Sequence, residues 1–480
     1  MDDIGNLVSQ SDALSFELSS ANLPQLLAAI RTKHKQNAAL REQHLSEYSK
    51  YIAVEEDLNE DVTFLQRIAN LPQLLPLFIQ HNGVEITAAL LEHPNVDLSN
   101  AVVNLIQELT EDDFLNEIDN PQAFMELYIA NDVFPRLVRL LFTLNEQSVG
   151  HTDITQYQID VLSILENYID IYSPSATLLC QQTRILQWLL SVITASNEHL
   201  SELERNDLRL FASETLYALL QASSENQQQF AELKALPSVI NVVVNMKSNY
   251  KAYDGANNNE YIHNVFNCIC CALLENDNKE LFAQTDGVNV FIDLMKGNDV
   301  FRVLSLKVLN YALQGDRDNC VAFIESNGLS VLFAFYMGKA TKRIKGVSEE
   351  EVHDSELYCL EMVLSLMKYV DGVCMERLMF KFRENRYEKV IRLVEHYYAR
   401  AIAKEGSEYR CNVIAMMMLF LLKQEGEGDN VVGKIYAKRG VDVDGKVRCV
   451  VRKYYEEVIK PNQVSDSDVS DSKFIYNLIN

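Results

Sequence analysis

The chain has 480 residues, 48% of them hydrophobic, and a formal net charge of −25. A polyanion of this size repels nucleic-acid phosphates and anionic lipid headgroups, which argues against direct nucleic-acid or membrane binding. With only 9 Pro and 17 Gly, and Val and Ile scattered without alternation, the composition excludes a sheet-rich fold and points to long helices joined by short turns.

Residues 1–22 are polar and Ser-rich and read as a flexible N-terminus with no secretory signal. Residues 23–78 carry charged helical segments and are predicted to form an N-terminal helical cap. Residues 79–372 are predicted to be armadillo-like repeats. The sharpest sign is a recurring phrase: Asn278, Phe282, Gly287 and Val290 are matched 41 residues later by Asn319, Phe323, Gly328 and Val331, with a looser copy at Asn226 and Phe230. A fixed period near 40 in a helical sequence marks stacked units that cannot bury their apolar faces alone. Apolar second helices start near Gly83, Asp132, Thr183, Ala235, Asp286 and Asn327, and third helices near Leu98, Gln158, Arg209, His263, Leu304 and Ser355. Gly83, Gly287 and Gly328 are expected to supply left-handed turns between first and second helices. Pro135 and Pro237 fall near helix starts, where a missing N–H costs little. Length variation collects in the polar stretches Ser196–Asp207 and Lys247–Glu260.

Residues 373–460 read as degenerate C-terminal repeats or a cap, with helices expected over Glu384–Lys404, Tyr409–Lys423 and Lys446–Ile459. Residues 461–480 form an acidic Ser/Asp tail. Its serines are either phosphorylation sites beside acids or part of a solvated linker. Phe474, Ile475, Leu478 and Ile479 could make one apolar turn that docks back. The predicted fold class is all-α, an armadillo/HEAT-type α-α superhelix forming a right-handed solenoid, with helical N- and C-terminal caps.

No phosphate-binding glycine loop, H-E-x-x-H or G-x-S-x-G motif occurs, so no catalytic residue, metal site or cofactor is assigned. Cys268, Cys270 and Cys271 lie in an apolar helical run and read as buried small hydrophobes of a reducing compartment. Asp442, Asp444 and Gly445 lack the remainder of a calcium loop and read as a turn. Trp188, the only tryptophan, is expected to pack in the core against a neighbouring repeat. The cluster Lys339, Lys342, Arg343 and Lys345 is either a solvated loop or a docking point for an acidic partner.

The acidity has two readings, plain solubility or a preference for Lys/Arg-rich partners. On the second, the partner-binding candidates are Glu108, Asp112 and Asp113 at the end of one third helix, Asp160, Glu166 and Asn167 on the next, and Glu214 on the one after. Asp160 and Glu214 are expected to share one side of the third-helix row. Glu108, Glu111, Asp112 and Asp113 would deepen the negative end of a helix dipole. The competing reading is an ordinary solvated helix face.

Several strings carry a family likeness. His93–Asp113 (HPNVDLSNAVVNLIQELTEDD), Leu186–Leu190 (LQWLL), Ser305–Leu313 (SLKVLNYAL) and Arg343-Ile344-Lys345 with Val347 resemble the beta-catenin-like protein 1 family, in order from about Leu23 to Ile459. The resemblance implies a nuclear armadillo-repeat protein of the spliceosome, acting in pre-mRNA splicing. It would sit with the Prp-nineteen-type complex and bind basic, nuclear-localisation-like peptides of splicing factors, notably the Myb-like subunit of that complex. A homodimer is left open. Two departures stand out: the longer charged N-terminal region of the family, with its basic localisation signal, is not evident, and the stretch after Lys404 looks shortened. In armadillo import receptors, which have a similar repeat, third-helix Trp and Asn ladders grip such peptides. The corresponding positions here are Val103, Ser163, Glu214, Asn267 and Lys307, and Gln107, Asn167, Ala218, Cys271 and Tyr311, so the ladder is essentially missing and charge is left to do the binding. The alternative function is a cytoplasmic HEAT/armadillo-type trafficking or nuclear-transport adaptor.

Overall fold

The computed structural model describes residues 17–44, 46–146, 154–195, 202–249, 256–337, 347–384, 387–390, 392–393, 408–424, 447–462 and 466–479. Among these residues every regular element is a helix and there is no strand. The chain begins with α1 (Leu23–Gln43) and α2 (Ile52–Leu65), which pack on each other. Triplets follow. The first is α3 (Leu75–Gln80), α4 (Gly83–Leu90) and α5 (Val96–Thr110), ending in the single turn α6 (Asp112–Leu115). The second is α7 (Pro121–Ala130), α8 (Val133–Glu146) and α9 (Ile154–Ile171), and the third α10 (Ser175–Gln182), α11 (Ile185–Thr194) and α12 (Glu202–Ala222). The fourth is α13 (Ser224–Glu232), α14 (Leu236–Ser248) and α15 (Ala256–Ala272). The fifth is α16 (Asn276–Gln284), α17 (Gly287–Met295) and α18 (Val300–Leu313), and the sixth α19 (Arg317–Glu325), α20 (Gly328–Tyr336) and α21 (Glu349–Tyr369). The chain closes with α22 (Gly372–Glu384), α23 (Glu408–Gln424), α24 (Arg448–Tyr454) and α25 (Asp466–Ile479).

Two compact units divide the chain. One holds residues 1–229 and 253–264, the other residues 230–252 and 265–480. In the first unit the third helices α5, α9 and α12 pack side by side, and in the second α18, α21 and α23 do the same. The pattern is that of a helical repeat, in which each unit is covered by its neighbours. On α5 the buried residues Leu98, Val102, Leu105, Ile106 and Leu109 recur at three- and four-residue steps, which makes one apolar face.

The recurring phrase has a packing explanation. Asn226, Asn278 and Asn319 are fully buried. The side-chain amide of Asn226 donates to the carbonyls of Leu219 and Ala176, at 2.9 and 3.1 Å, and that of Asn278 donates to Ala272 at 2.9 Å. The bonds to Leu219 and Ala272 satisfy carbonyls left open at the end of the preceding third helix. The bond to Ala176 reaches back one repeat, and Asn319 does the same to the Lys279 carbonyl, at 3.1 Å. The phenylalanine of the phrase lies flat on the glycine that follows it. A Cβ on Gly287 would stand 2.7 Å from the Phe282 ring, and one on Gly328 2.6 Å from Phe323. The glycines are therefore needed for close approach. The left-handed turn expected of them belongs to the residue before: Asn82, Asp286 and Asn327 have φ of 58°, 60° and 62°. Short Asn and Asp side chains tolerate that region better than other residues with a Cβ.

The N-terminal helices are joined to the first triplet by a buried polar network. The Glu55 carboxylate accepts from Asn37 and Asn95, at 3.1 and 3.0 Å, and from Arg41. His93 Nε2 lies 3.0 Å from Asn37 Oδ1, and its Nδ1 accepts the Asn95 N–H at 3.1 Å. Since the Asn37 amide nitrogen serves Glu55, His93 must donate through Nε2, and burial lowers its pKa to about 4. Trp188 is likewise buried, and its indole N–H donates to the Leu141 carbonyl of the preceding second helix at 3.0 Å. Cys268 and Cys270 are buried and Cys271 partly so. Burial pushes the Cys271 thiol up to about 11, which makes it a poor nucleophile at neutral pH.

At the C-terminal end, α23 and α24 correspond to two of the three expected helices. Of Glu384–Lys404, residues 385–386, 391 and 394–404 lie outside the described residues, as do the Lys339–Lys345 cluster and the Asp442–Gly445 turn. Residues 466–479 form a single helix, with Ile475, Leu478 and Ile479 buried and the Phe474 ring 6.0 Å from that of Phe420. Asp471 pairs with Lys368, and Arg448 holds the carbonyls of Leu478 and Ile479. Apolar residues at three- and four-residue steps, plus these partners for the helix end, extend the turn into a helix.

Candidate functional site: an acidic row on the third helices

The row is built from the exposed edge of α5, α9 and α12. On α5 the apolar face leaves Glu108 exposed and Asn104 half-buried, while Val103 is fully buried. Val103 therefore presents no ladder side chain to a partner. Where equivalent positions could be compared in the second unit they do meet, since Lys307 Nζ donates to Asn267 Oδ1 at 2.7 Å. Glu111 ends α5 and also precedes α6, and Asp112 and Asp113 occupy the first turn of α6. Only Glu108 thus sits in the final turn of α5, so the expected deepening of a negative helix end rests on that residue alone.

On α9, Glu166 and Asn167 sit at the partly exposed edge. Asn167 Nδ2 donates to Thr110 Oγ1 at 3.3 Å, linking α9 to α5, and Thr215 Oγ1 donates to Glu166 Oε1 at 2.6 Å, linking α9 to α12. Glu214 stands beside Thr215. Asp160 does not join this edge. It is 9% exposed, and its carboxylate accepts from Gln156 at 2.7 Å. Its burial follows from the long buried stretch of α9, where Tyr157 to Leu162 are all covered. Asp113 is exposed next to Asp112.

The carboxylates act on one another. Burial and Glu111 raise the pKa of Glu108. Burial and Asp112 raise that of Asp170. Burial, Glu260 and Asp170 raise that of Glu214. Burial pushes Glu166 up to about 8, with Glu214 and Asp170 adding to the shift and the Thr215 hydroxyl opposing it. Among the described residues no lysine or arginine pairs with Glu108, Asp112, Glu166, Asp170 or Glu214. A row of like charges without a counter-cation is a poor structural device and a natural cation acceptor. Asp170 and Glu260 were missed in the sequence. Asp170 could have been found as the residue one turn beyond Glu166.

Glu166 gives a testable pH effect. In the unfolded chain a glutamate loses its proton near the ordinary value of 4.5, whereas folded Glu166 keeps it to about 8. Between these values the folded state binds more protons, so Glu166 makes stability fall as pH rises from 4.5 to 8, by at most about 1.4 kcal/mol per pH unit. Glu166→Gln keeps an acceptor for Thr215 and should flatten the urea midpoint against pH over that window. An unchanged slope would show that Glu166 is ionised at neutral pH.

Helix triplets whose third helices line up on one edge define an armadillo-repeat protein, a class built for protein interaction. Comparison with known proteins narrows this. Residues 2–413 match the family described as catenin-beta-like, Arm-motif containing nuclear. The chain belongs to that family. Beta-catenin-like protein 1 of Homo sapiens is 30% identical over 386 residues, and its homolog in Schizosaccharomyces pombe 25% identical over 395. These matches cover 79% and 81% of this chain and 66% of each relative, so the chain spans just under two thirds of the relatives it matches. Among solved structures, an engineered protein superposes with a TM-score of 0.51 at 13% identity, covering 96% of this chain and 99% of its own. A structure from work on the interaction between cadherin and beta-catenin has the same score at 12% identity, covering 96% of this chain and 77% of its own. At such identities these two share the fold alone.

Proposed function

We propose that the chain is a non-catalytic scaffold of the spliceosome in the nucleus, whose acidic row receives basic, nuclear-localisation-like segments of splicing factors. The Myb-like subunit of the Prp-nineteen-type complex is the foremost candidate. Membership of a family described as nuclear supports the compartment. The observation that carries the binding mode is the row of Glu108, Asp112, Asp170 and Glu214, acids without a lysine or arginine partner among the described residues, set around a Glu166 that keeps its proton to about 8. Each exposed ion pair contributes only about 0.2–1 kcal/mol, so binding needs several pairs along an extended peptide and must depend on salt. A labelled Lys/Arg-rich peptide titrated by fluorescence anisotropy should bind much more weakly at about 0.5 M salt than at about 0.05 M, as the Debye length shrinks. Equal affinity at both would contradict the electrostatic mode. Recovery of splicing factors on the full chain from nuclear extract tests the assignment to the spliceosome, and their absence would count against it.

A further inference from the structure

A cleft of about 260 Å³ opens in the first unit between the α4–α5 turn and α8. Its apolar wall includes Pro94, Val96 and Leu140, and its polar rim is Glu92, Arg136 and Arg139. Both guanidinium groups converge on the one Glu92 carboxylate. Arg136 is also anchored through Nε to the Asn131 carbonyl at 3.2 Å, which fixes its fork in place, whereas the Arg139 side chain is 65% exposed.

The charge count is uneven. Two cations share one anion, leaving a net positive centre in a chain of charge −25. The two arginines carry about ten N–H donors between them. Glu92 and the Asn131 carbonyl engage only a few of these. The cleft is smaller than the roughly 300–1,000 Å³ usual for a small-molecule site, and suits a side chain better than a cofactor. Repulsion from the acidic surface elsewhere is screened beyond about 8 Å at physiological ionic strength, so the local pair decides what binds.

We propose that this cleft is a second docking site, which takes an oxyanion side chain of a partner peptide between Arg136 and Arg139 and seats an adjacent apolar residue on Pro94, Val96 and Leu140. The oxyanion is a carboxylate, the group that both forks already hold in Glu92. Glu92 holds the two forks in place in the free protein and competes with the ligand for them. It is the element that separates this reading from a plain salt bridge between repeats. If the triad only braces the fold, loss of Glu92 weakens the protein and creates no binding. If the cleft is a site, loss of Glu92 frees both guanidinium groups.

The test uses the full chain and two peptides, acetyl-Gly-Leu-Glu-Asp-Leu-amide and its twin with phosphoserine in place of Glu, measured by calorimetry. Glu92→Gln should bind the Glu peptide about fivefold more tightly than the parent chain, and Arg139→Gln about tenfold more weakly. The exposed position of Arg139 leaves folding intact, which the Trp188 emission would verify. Gain of binding by the phosphoserine twin alone would overturn the carboxylate assignment. Binding that is unchanged or weaker in Glu92→Gln overturns the proposal. So does equal binding of a uridine tetranucleotide, which would make the arginines a general phosphate contact.

Discussion

Replacing Trp188 by alanine is expected to lower the stability of the first unit by about 3–5 kcal/mol. The indole is fully buried, fills the space between α11 and α8, and donates to the Leu141 carbonyl. Truncation removes the largest buried side chain of the chain, leaves a cavity and loses the bond. A folded domain has only about 5–15 kcal/mol in hand, so the effect is a large fraction of the total. In a repeat protein each unit leans on its neighbours, so the loss should appear as an early transition for the repeats around α8 and α11. Urea titration followed by far-UV circular dichroism reads it. Trp188→Phe keeps most of the packing and gives up the hydrogen bond, and it should cost less than half as much. A loss under about 1 kcal/mol for the alanine variant would mean that the contact between α8 and α11 does not hold these repeats together.

The second large effect couples binding to stability with opposite signs. Glu108→Gln, Asp112→Asn, Asp170→Asn and Glu214→Gln together remove four acids that have no cation partner among the described residues. At about 0.2–1 kcal/mol per lost pair, affinity for a Lys/Arg-rich peptide should fall by roughly fourfold to nearly a thousandfold. The same variant should be more stable than the parent, because burial and neighbouring carboxylates oppose ionisation of Glu108, Asp170 and Glu214 in the folded state. Ordinary surface pairs behave the other way, since removing them is neutral or destabilising. If the variant binds as well as the parent, the row is a solvated face. If it loses stability, the acids were structural.

Much of this architecture was legible along the chain because it follows from local periodicity. The Asn-Phe-Gly phrase, the apolar second helices, the buried Trp188 and the inert thiols each depend on residues close in sequence or on a helix face of fixed pitch. What escaped depends on how one helix is rotated against another. The buried Val103 and the exposed Glu108 lie on one helix, and only the packing of α5 decides which of its residues face out. Asp160 was placed on the acidic row for the same reason, yet the packing of α9 covers it. Asp170 lies one turn beyond Glu166, but its proximity to Asp112, and that of Glu260 to Glu214, are separations no spacing rule reveals. The Glu55–Asn37–His93 network joins residues up to 56 apart, and the Glu92 triad spans 44 and 47. The glycine of the phrase was assigned the right place and the wrong task, because the ring that lies on it is a tertiary contact while the left-handed residue is its neighbour.

Carboxyl labelling read by mass spectrometry tests the central claim most directly, since it reports on each acid of the row with and without a bound peptide. With a Lys/Arg-rich peptide at saturation, labelling of Glu108, Asp112, Asp170 and Glu214 should fall together, while Asp286 and Glu349 of the second unit stay as reactive as before. Unchanged labelling along the row while the peptide is bound would place the binding surface elsewhere and contradict the account.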